Sequence, residues 1–211
     1  MDKLFENNQA TVAGKISKVP EFSHEIYGEK FYITYIKSAR ESGYEDEIPV
    51  IVSERLHDAN DLNVGQMVAT YGQFRSFNKH EENRSRLILQ LFAREIEVLD
   101  DMQTGRDENM ISLDGFICKN PVYRKTPLGR EISDFLLAVN RTYGKTDYIP
   151  CLAWGRNALY TSGLEVGSRV KICGRIQSRE YQKRISDTET ETRVAYEVSV
   201  SKVEVVDETD C

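Results

Sequence analysis

Phe135-Leu-Leu-Ala-Val-Asn-Arg-Thr-Tyr-Gly-Lys-Thr-Asp-Tyr-Ile-Pro-Cys-Leu-Ala-Trp-Gly-Arg156 is the stretch whose reading decides the fold. Two runs rich in apolar and β-favouring residues flank a short polar connection, the pattern of strand, turn and strand. Tyr148 and Trp154 are six residues apart, so on a regular strand their side chains leave the same face. Pro150 and Leu152 share that parity, and Ile149, Cys151 and Ala153 take the opposite face as a core. Tyr143, Lys145 and Arg156 add a ring and two cations at the turn and the strand end. One packed face and one face of aromatics beside cations make a stacking platform for unpaired bases.

The stretch is one half of a pair. Thr11-Val-Ala-Gly-Lys-Ile16 repeats as Ser112-Leu-Asp-Gly-Phe-Ile117, and Ile48-Pro49 as Ile149-Pro150. Leu62-Asn-Val-Gly65 returns as Leu164-Glu-Val-Gly167, and Gly72 and Ser76 as Gly174 and Ser178. The offset stays at 101 or 102 residues until a longer loop carries Asp100 to Asp207. Such an order of glycine, proline and apolar positions marks two copies of one domain, 1–100 and 109–211. The polar, aperiodic 101–108 reads as a linker.

Each copy divides into five strand-like stretches, in the first roughly 9–20, 30–38, 47–52, 67–77 and 85–99. Between the third and fourth, Ser53 is placed to cap a short helix ending near Asn63-Val-Gly65. Residues 156–164 hold that place in the second copy, closed by Gly163 and Gly167. The expected fold class is all-β: two tandem five-stranded Greek-key barrels of the OB-fold type, each with a short helix between strands 3 and 4. Gly14, Gly72, Gly115 and Gly174 fall inside strands, where glycine permits the coiling of a small barrel.

Composition sets the remaining bounds. With 40% hydrophobic and 29% charged residues the chain supports a packed core and a soluble surface. No apolar run approaches the roughly 18 residues of a membrane span, and the first residues lack a signal peptide's apolar stretch. The expected location is cytoplasmic, with no membrane partner. Cys118, Cys151, Cys173 and Cys211 lack metal-ligand spacing, and the first three read as core thiols. His24, His57 and His80 read as surface or loop residues. No phosphate loop, nucleophile elbow or paired-carboxylate motif is present, so no enzyme, catalytic residue, metal or cofactor is expected.

Net charge is −6, but its distribution is uneven. Residues 109–206 hold 15 Lys and Arg against 11 Asp and Glu, net +4; residues 1–108 hold 13 against 20, net −7. Attraction for phosphate is local to the second half.

The segment Leu113-Asp-Gly-Phe-Ile-Cys-Lys-Asn-Pro-Val-Tyr-Arg-Lys-Thr-Pro-Leu-Gly129 resembles the first strand and first loop of bacterial single-stranded DNA-binding proteins. Residues 135–141 and 148–155 are similar to that family's next strands. Val166-Gly-Ser-Arg-Val-Lys-Ile-Cys-Gly-Arg-Ile-Gln-Ser-Arg-Glu-Tyr181 is similar to its closing ones. The resemblance implies four positions that stack on DNA, here Tyr143, Tyr148, Trp154 and Tyr181. Three are Tyr where the best-known members carry Trp. It also implies a homodimer, because members present four OB-folds per assembly and this chain supplies two. Many members continue into an acidic-aromatic tail that recruits replication and repair enzymes; 207–211 is only a brief acidic stub, which puts that recruitment in doubt.

Two loops of the second copy frame the expected binding face. One carries Lys119, Arg124, Lys125 and Arg130; the other sets Tyr181 among Arg179, Lys183 and Arg184. In the first copy Glu47 stands opposite Tyr148, Ser53 opposite Trp154, and Lys18 and Ser23 opposite Lys119 and Arg124. Its aromatics Phe31, Tyr32, Tyr35, Tyr71, Phe74 and Phe77 read as core or interface, and the copy reads as a scaffold. The expected function is sequence-independent binding of single-stranded DNA in replication, recombination or repair. A primosome-like protein adaptor and an RNA-binding OB module are the alternatives, since stacking does not distinguish the sugars.

Overall fold

The computed structural model describes residues 7–81, 84–99, 108–185 and 190–206. The first five strands are β1 (Asn8–Ile26), β2 (Glu29–Ala39), β3 (Glu45–Ser53), β4 (Met67–Glu81) and β5 (Arg84–Val98). β1 pairs with β2, β2 with β3, β3 with β5 in parallel, β5 with β4, and β4 again with β1. The hydrogen bonds therefore close a five-stranded barrel, which removes sheet edges.

The second half follows the same circuit. Its strands are β6 (Asn109–Ile117), β7 (Val122–Lys125), β8 (Glu131–Asn140), β9 (Thr146–Trp154), β10 (Arg169–Arg184) and β11 (Thr190–Val205). β6, β8, β9, β11 and β10 pair in that order and β10 returns to β6, while β7 lies along β8. Inward residues such as Leu137, Ile149, Ile172, Ile176 and Val198 are buried. Each contributes roughly 1.5–3 kcal/mol relative to exposure. Close strand crossing explains the glycines: a Cβ on Gly14 would stand 1.9 Å from the Lys37 carbonyl oxygen, and one on Gly174 2.2 Å from that of Ser199.

The halves are joined by strand pairing. β1 and β6 run antiparallel with Asn8 opposite Leu113, Ala10 opposite Ile111 and Val12 opposite Asn109. This register is symmetric about the equivalent residues Ala10 and Ile111, so a pseudo-twofold axis relates the halves.

Polar latches obey the same axis. Buried Asp46 accepts the Ser178 N–H (2.7 Å) and both Arg40 donors, Nε at 2.8 Å and Nη2 at 2.5 Å. Buried Asp147 accepts the Ser76 N–H (2.5 Å) and Arg141 Nε and Nη2, at 2.6 and 2.5 Å. Asn8 bridges the Phe74 backbone at 2.8 and 2.9 Å, and Asn109 bridges that of Ile176 at 2.7 and 2.9 Å.

Several expectations need correction. The first half has a 3-10 turn at Ala59–Asp61 where a helix was expected, and Asp58, not Ser53, caps it. The Ser53 hydroxyl instead donates to Glu29 and accepts the Arg55 N–H. In the second half α1 (Arg156–Ser162) does occupy the place. Residues 179–184 belong to β10 rather than to a loop, and 122–125 form β7. Cys173 is exposed, because it follows buried Val170 and Ile172 in the regular alternation of β10 and shares the outward side of Lys171. His24 lies in β1, its ring stacked on Phe31 at 4.8 Å. Most of the linker, 100–107, and the stub 207–211 with Cys211 lie outside the described residues.

Candidate nucleic-acid interface

The β8–β9 hairpin carries the densest set of expected groups. Along β9, Asp147, Ile149, Cys151 and Ala153 are buried, while Tyr148 and Trp154 are 44% and 38% exposed on the opposite face. In register they stand beside Ala138 and Ile132 of β8. Two large rings thus lie open on a rigid paired strand, about 20 Å apart at the strand rise.

At the hairpin tip Tyr143 is 98% exposed and adopts φ 63°, followed by Gly144 at φ 69°. A left-handed tyrosine costs roughly 1–2 kcal/mol. The turn is anchored by the Arg141 N–H to the Lys145 carbonyl (2.7 Å) and by the Arg141–Asp147 latch. Lys145 is exposed beside it, and Arg156 is exposed at the start of α1, just past Trp154.

The cations around β7 are not equivalent. Arg124 Nε donates to Asp134 at 2.7 Å, and Lys125 Nζ lies 3.7 Å from Glu131. Lys119 and Arg130 are exposed and make no ion pair among the described residues.

The β10 group lies elsewhere. Tyr181 is half-buried opposite Arg193 of β11, with Arg179 Cζ 6.0 Å from its ring centroid. Tyr181 and Lys183 face a groove shared with the first half, whereas Tyr148 and Trp154 do not line it. Arg184 is exposed and has partners of its own. The four expected stacking rings therefore do not form one patch.

The first half presents a different surface at the equivalent positions. Glu47 accepts from Ser17 Oγ and from Lys18 Nζ, both at 2.8 Å. Burial pushes its carboxyl up, but the hydrogen bonds from Lys18 and Ser17 outweigh this and hold it below the usual range. Lys18 also sits 3.7 Å from the Tyr35 ring centroid. Of the expected core or interface aromatics Phe74 and Phe31 are buried, but Tyr71 and Phe77 are exposed.

Sequence reading passed over Arg75 and the two aspartate latches. Arg75 lies 4.0 Å from the Phe92 ring centroid, and burial, with Arg141 and Arg94 nearby, pulls its guanidinium down to about 10. The latches had a signal: Arg40 and Asp46 recur as Arg141 and Asp147 at the repeat offset.

A closed five-stranded barrel with open aromatics on one strand face and exposed cations just beyond that strand's ends defines an all-β protein of the OB type. Residues 108–206 match the model of the single-strand binding protein family. Single-stranded DNA-binding protein 2 of Listeria innocua is 37% identical over 92 residues, covering 38% of this chain and 58% of that protein. Single-stranded DNA-binding protein A of Bacillus subtilis is 36% identical over 83 residues, covering 36% and 48%. The chain thus spans about half the length of these relatives. Among solved structures, a deletion mutant of the single-stranded DNA-binding protein from Thermus aquaticus superposes with a TM-score of 0.73 and 23% identity, covering 95% of each chain. The wild-type protein gives 0.70 and 24%, covering 95% and 93%. At that identity the likeness is one of fold.

Proposed function

We propose that this chain binds single-stranded DNA with little sequence preference, protecting it in replication, recombination or repair, and performs no catalysis. The observation that carries the reading is the outer face of β9, where Tyr148 and Trp154 stand open over a buried row of Ile149, Cys151 and Ala153. Bases stack on Tyr143, Tyr148 and Trp154, because every base has a π-face and stacking tolerates any sequence. Lys119, Arg130, Lys145 and Arg156, which face no carboxylate partner among the described residues, hold phosphates.

Within this reading the two rings of strands are tandem OB-folds, the first chiefly a scaffold, and two chains associate in the cytoplasm to present four. The names of the relatives support the ligand, and the closed pairing circuit of each half supports the tandem arrangement.

The test follows Trp154, the only tryptophan, during titration with oligo-dT, oligo-rU and duplex DNA. Quenching by oligo-dT at lower concentration than by duplex supports the reading. Preference for oligo-rU would make the ligand RNA, and no response to any of the three would leave a protein-adaptor role.

A further inference from the structure

The turn between β1 and β2 stands away from its barrel. Past Ile16, which still bonds the Gly65 and Gln66 backbone, β1 has only β2 beside it, and that ladder runs on to Ile26 opposite Glu29. Pairing of β2 with β3 reaches no further than Phe31. Residues 19–29 therefore form an arm, stiffened by the His24 ring on Phe31 and by the edge of Phe22 against Tyr32.

The arm carries apolar groups that only water covers. Val19 and Phe22 are 65% and 60% exposed, and Tyr27 at the tip is fully exposed with φ 51°. A left-handed tyrosine is disfavoured, and a side chain this open gains no packing to offset the strain. Exposed apolar groups gathered on one element within a polar rim mark an interaction surface.

The equivalent arm of the second half has the opposite charge. At the repeat offset Lys18-Val-Pro20 returns as Lys119-Asn-Pro121, and Tyr27-Gly-Glu29 as Leu128-Gly-Arg130. Leu128 and Val122 are exposed as well. Residues 19–29 hold Glu21, Glu25 and Glu29 and no Lys or Arg; residues 119–130 hold Lys119, Arg124, Lys125 and Arg130 and no carboxylate. Some of these charges are already engaged. Arg55 lies 3.3 Å from Glu29, Glu25 stands across from Lys30, and Arg124 and Lys125 face Asp134 and Glu131. Glu21 on one arm, and Lys119 and Arg130 on the other, make no ion pair among the described residues. β2 and β7 stand at opposite ends of the strand order, and among the described residues no hydrogen bond or ion pair links the two arms of one chain.

We infer that the acidic arm of one chain docks on the basic arm of a second copy, with Glu21 and Glu25 facing Lys119 and Arg130 while Phe22 and Tyr27 bury against Val122 and Leu128. The two surfaces differ, so the contact is heterologous: it closes a pair only where both arms of both chains meet, and otherwise extends into a row. The inference goes beyond the DNA-binding reading and does not depend on it. Lys119 and Arg130 are the cations assigned to phosphates there, so a neighbouring copy and a DNA strand compete for them.

The experiment follows the full chain by sedimentation velocity without DNA. The parent should form heavier species in about 20 mM salt, with an association constant that falls roughly tenfold by about 0.5 M as the exposed charges are screened. Glu21→Lys with Glu25→Lys reverses the contact positions of one arm; Lys119→Glu with Arg130→Glu reverses those of the other. Each variant alone sets like charges together and should sediment in low salt as the parent does in high salt. An equimolar mixture of the two restores opposite charges across the contact and should recover the parental association within about threefold. Tyr27→Gly, suited to φ 51°, should weaken the association while its denaturation midpoint holds. Circular dichroism on every sample separates a lost contact from a lost fold. Parental association by either charge variant or by Tyr27→Gly would overturn the inference. So would a parent of equal mass in both salts, or a mixture that sediments as its separate components. Failure of the DNA-binding reading would leave all of these sedimentation results unchanged.

Discussion

At the scale of single residues, the site is set by which groups already have partners. Trp154 has an open face and a rigid paired backbone, so it stacks without first breaking a contact. Trp154→Ala should weaken oligo-dT binding by roughly 1–3 kcal/mol with the fold intact. A variant that folds and binds like the parent would remove Trp154 from the interface. Ser133 makes the opposite case: its hydroxyl is fully buried in β8 and has no hydrogen-bond partner among the described residues. An unpaired buried hydroxyl costs about 1–3 kcal/mol. Ser133→Ala should therefore raise the urea midpoint, by about 1 kcal/mol in stability, and a lowered midpoint would refute that accounting.

At the scale of elements, β7 decides which loop cations are available. Pairing of Val122 with Asp134 and Arg124 with Ile132 brings the Arg124 guanidinium onto Asp134, and Lys125 pairs with Glu131 near its reach. A phosphate at Arg124 must displace a carboxylate, whereas one at Arg130 displaces only water. Arg130→Ala should therefore flatten the log–log salt dependence of binding by about 0.7, and Arg124→Ala by much less. Equal slopes for the two variants would show that the ion pair does not survive binding. The sequence made the element types and the outward face of β9 legible, because alternation, turn residues and the repeat all agree there. It did not show the Arg124–Asp134 pair, which depends on β7 forming at all. The outward turn of Cys173 was legible but missed, since Val170 and Ile172 point inward and a period of two leaves Cys173 outside. Ser53 caps no helix because its oxygen accepts the Arg55 N–H in a turn directly after β3, and the 3-10 turn begins only behind Asp58.

At the scale of the whole molecule, the interface between the halves is self-complementary chemistry contained in one chain. Asp46 with Arg40 meets Ser178, and Asp147 with Arg141 meets Ser76; each half supplies one aspartate clamp and one serine. β1 and β6 add a register symmetric about Ala10 and Ile111. A second copy of residues 108–211 offers a β6 strand and a Ser178 in place of β1 and Ser76, so two such fragments can reproduce the contact isologously. Left single, the fragment exposes the unpaired edge of β6 and leaves Asp147 without its serine. The fragment expressed alone should therefore sediment as a dimer at micromolar concentration. Asp147→Ala should abolish that dimer, with a loss near the roughly 3–5 kcal/mol of breaking a buried ion pair, because Arg141 loses its carboxylate. Circular dichroism on the same samples separates a folded monomer from an unfolded chain. A folded, monomeric parent fragment at those concentrations would show that the contact depends on differences between the halves, and that the pseudo-twofold axis is not enough to drive association.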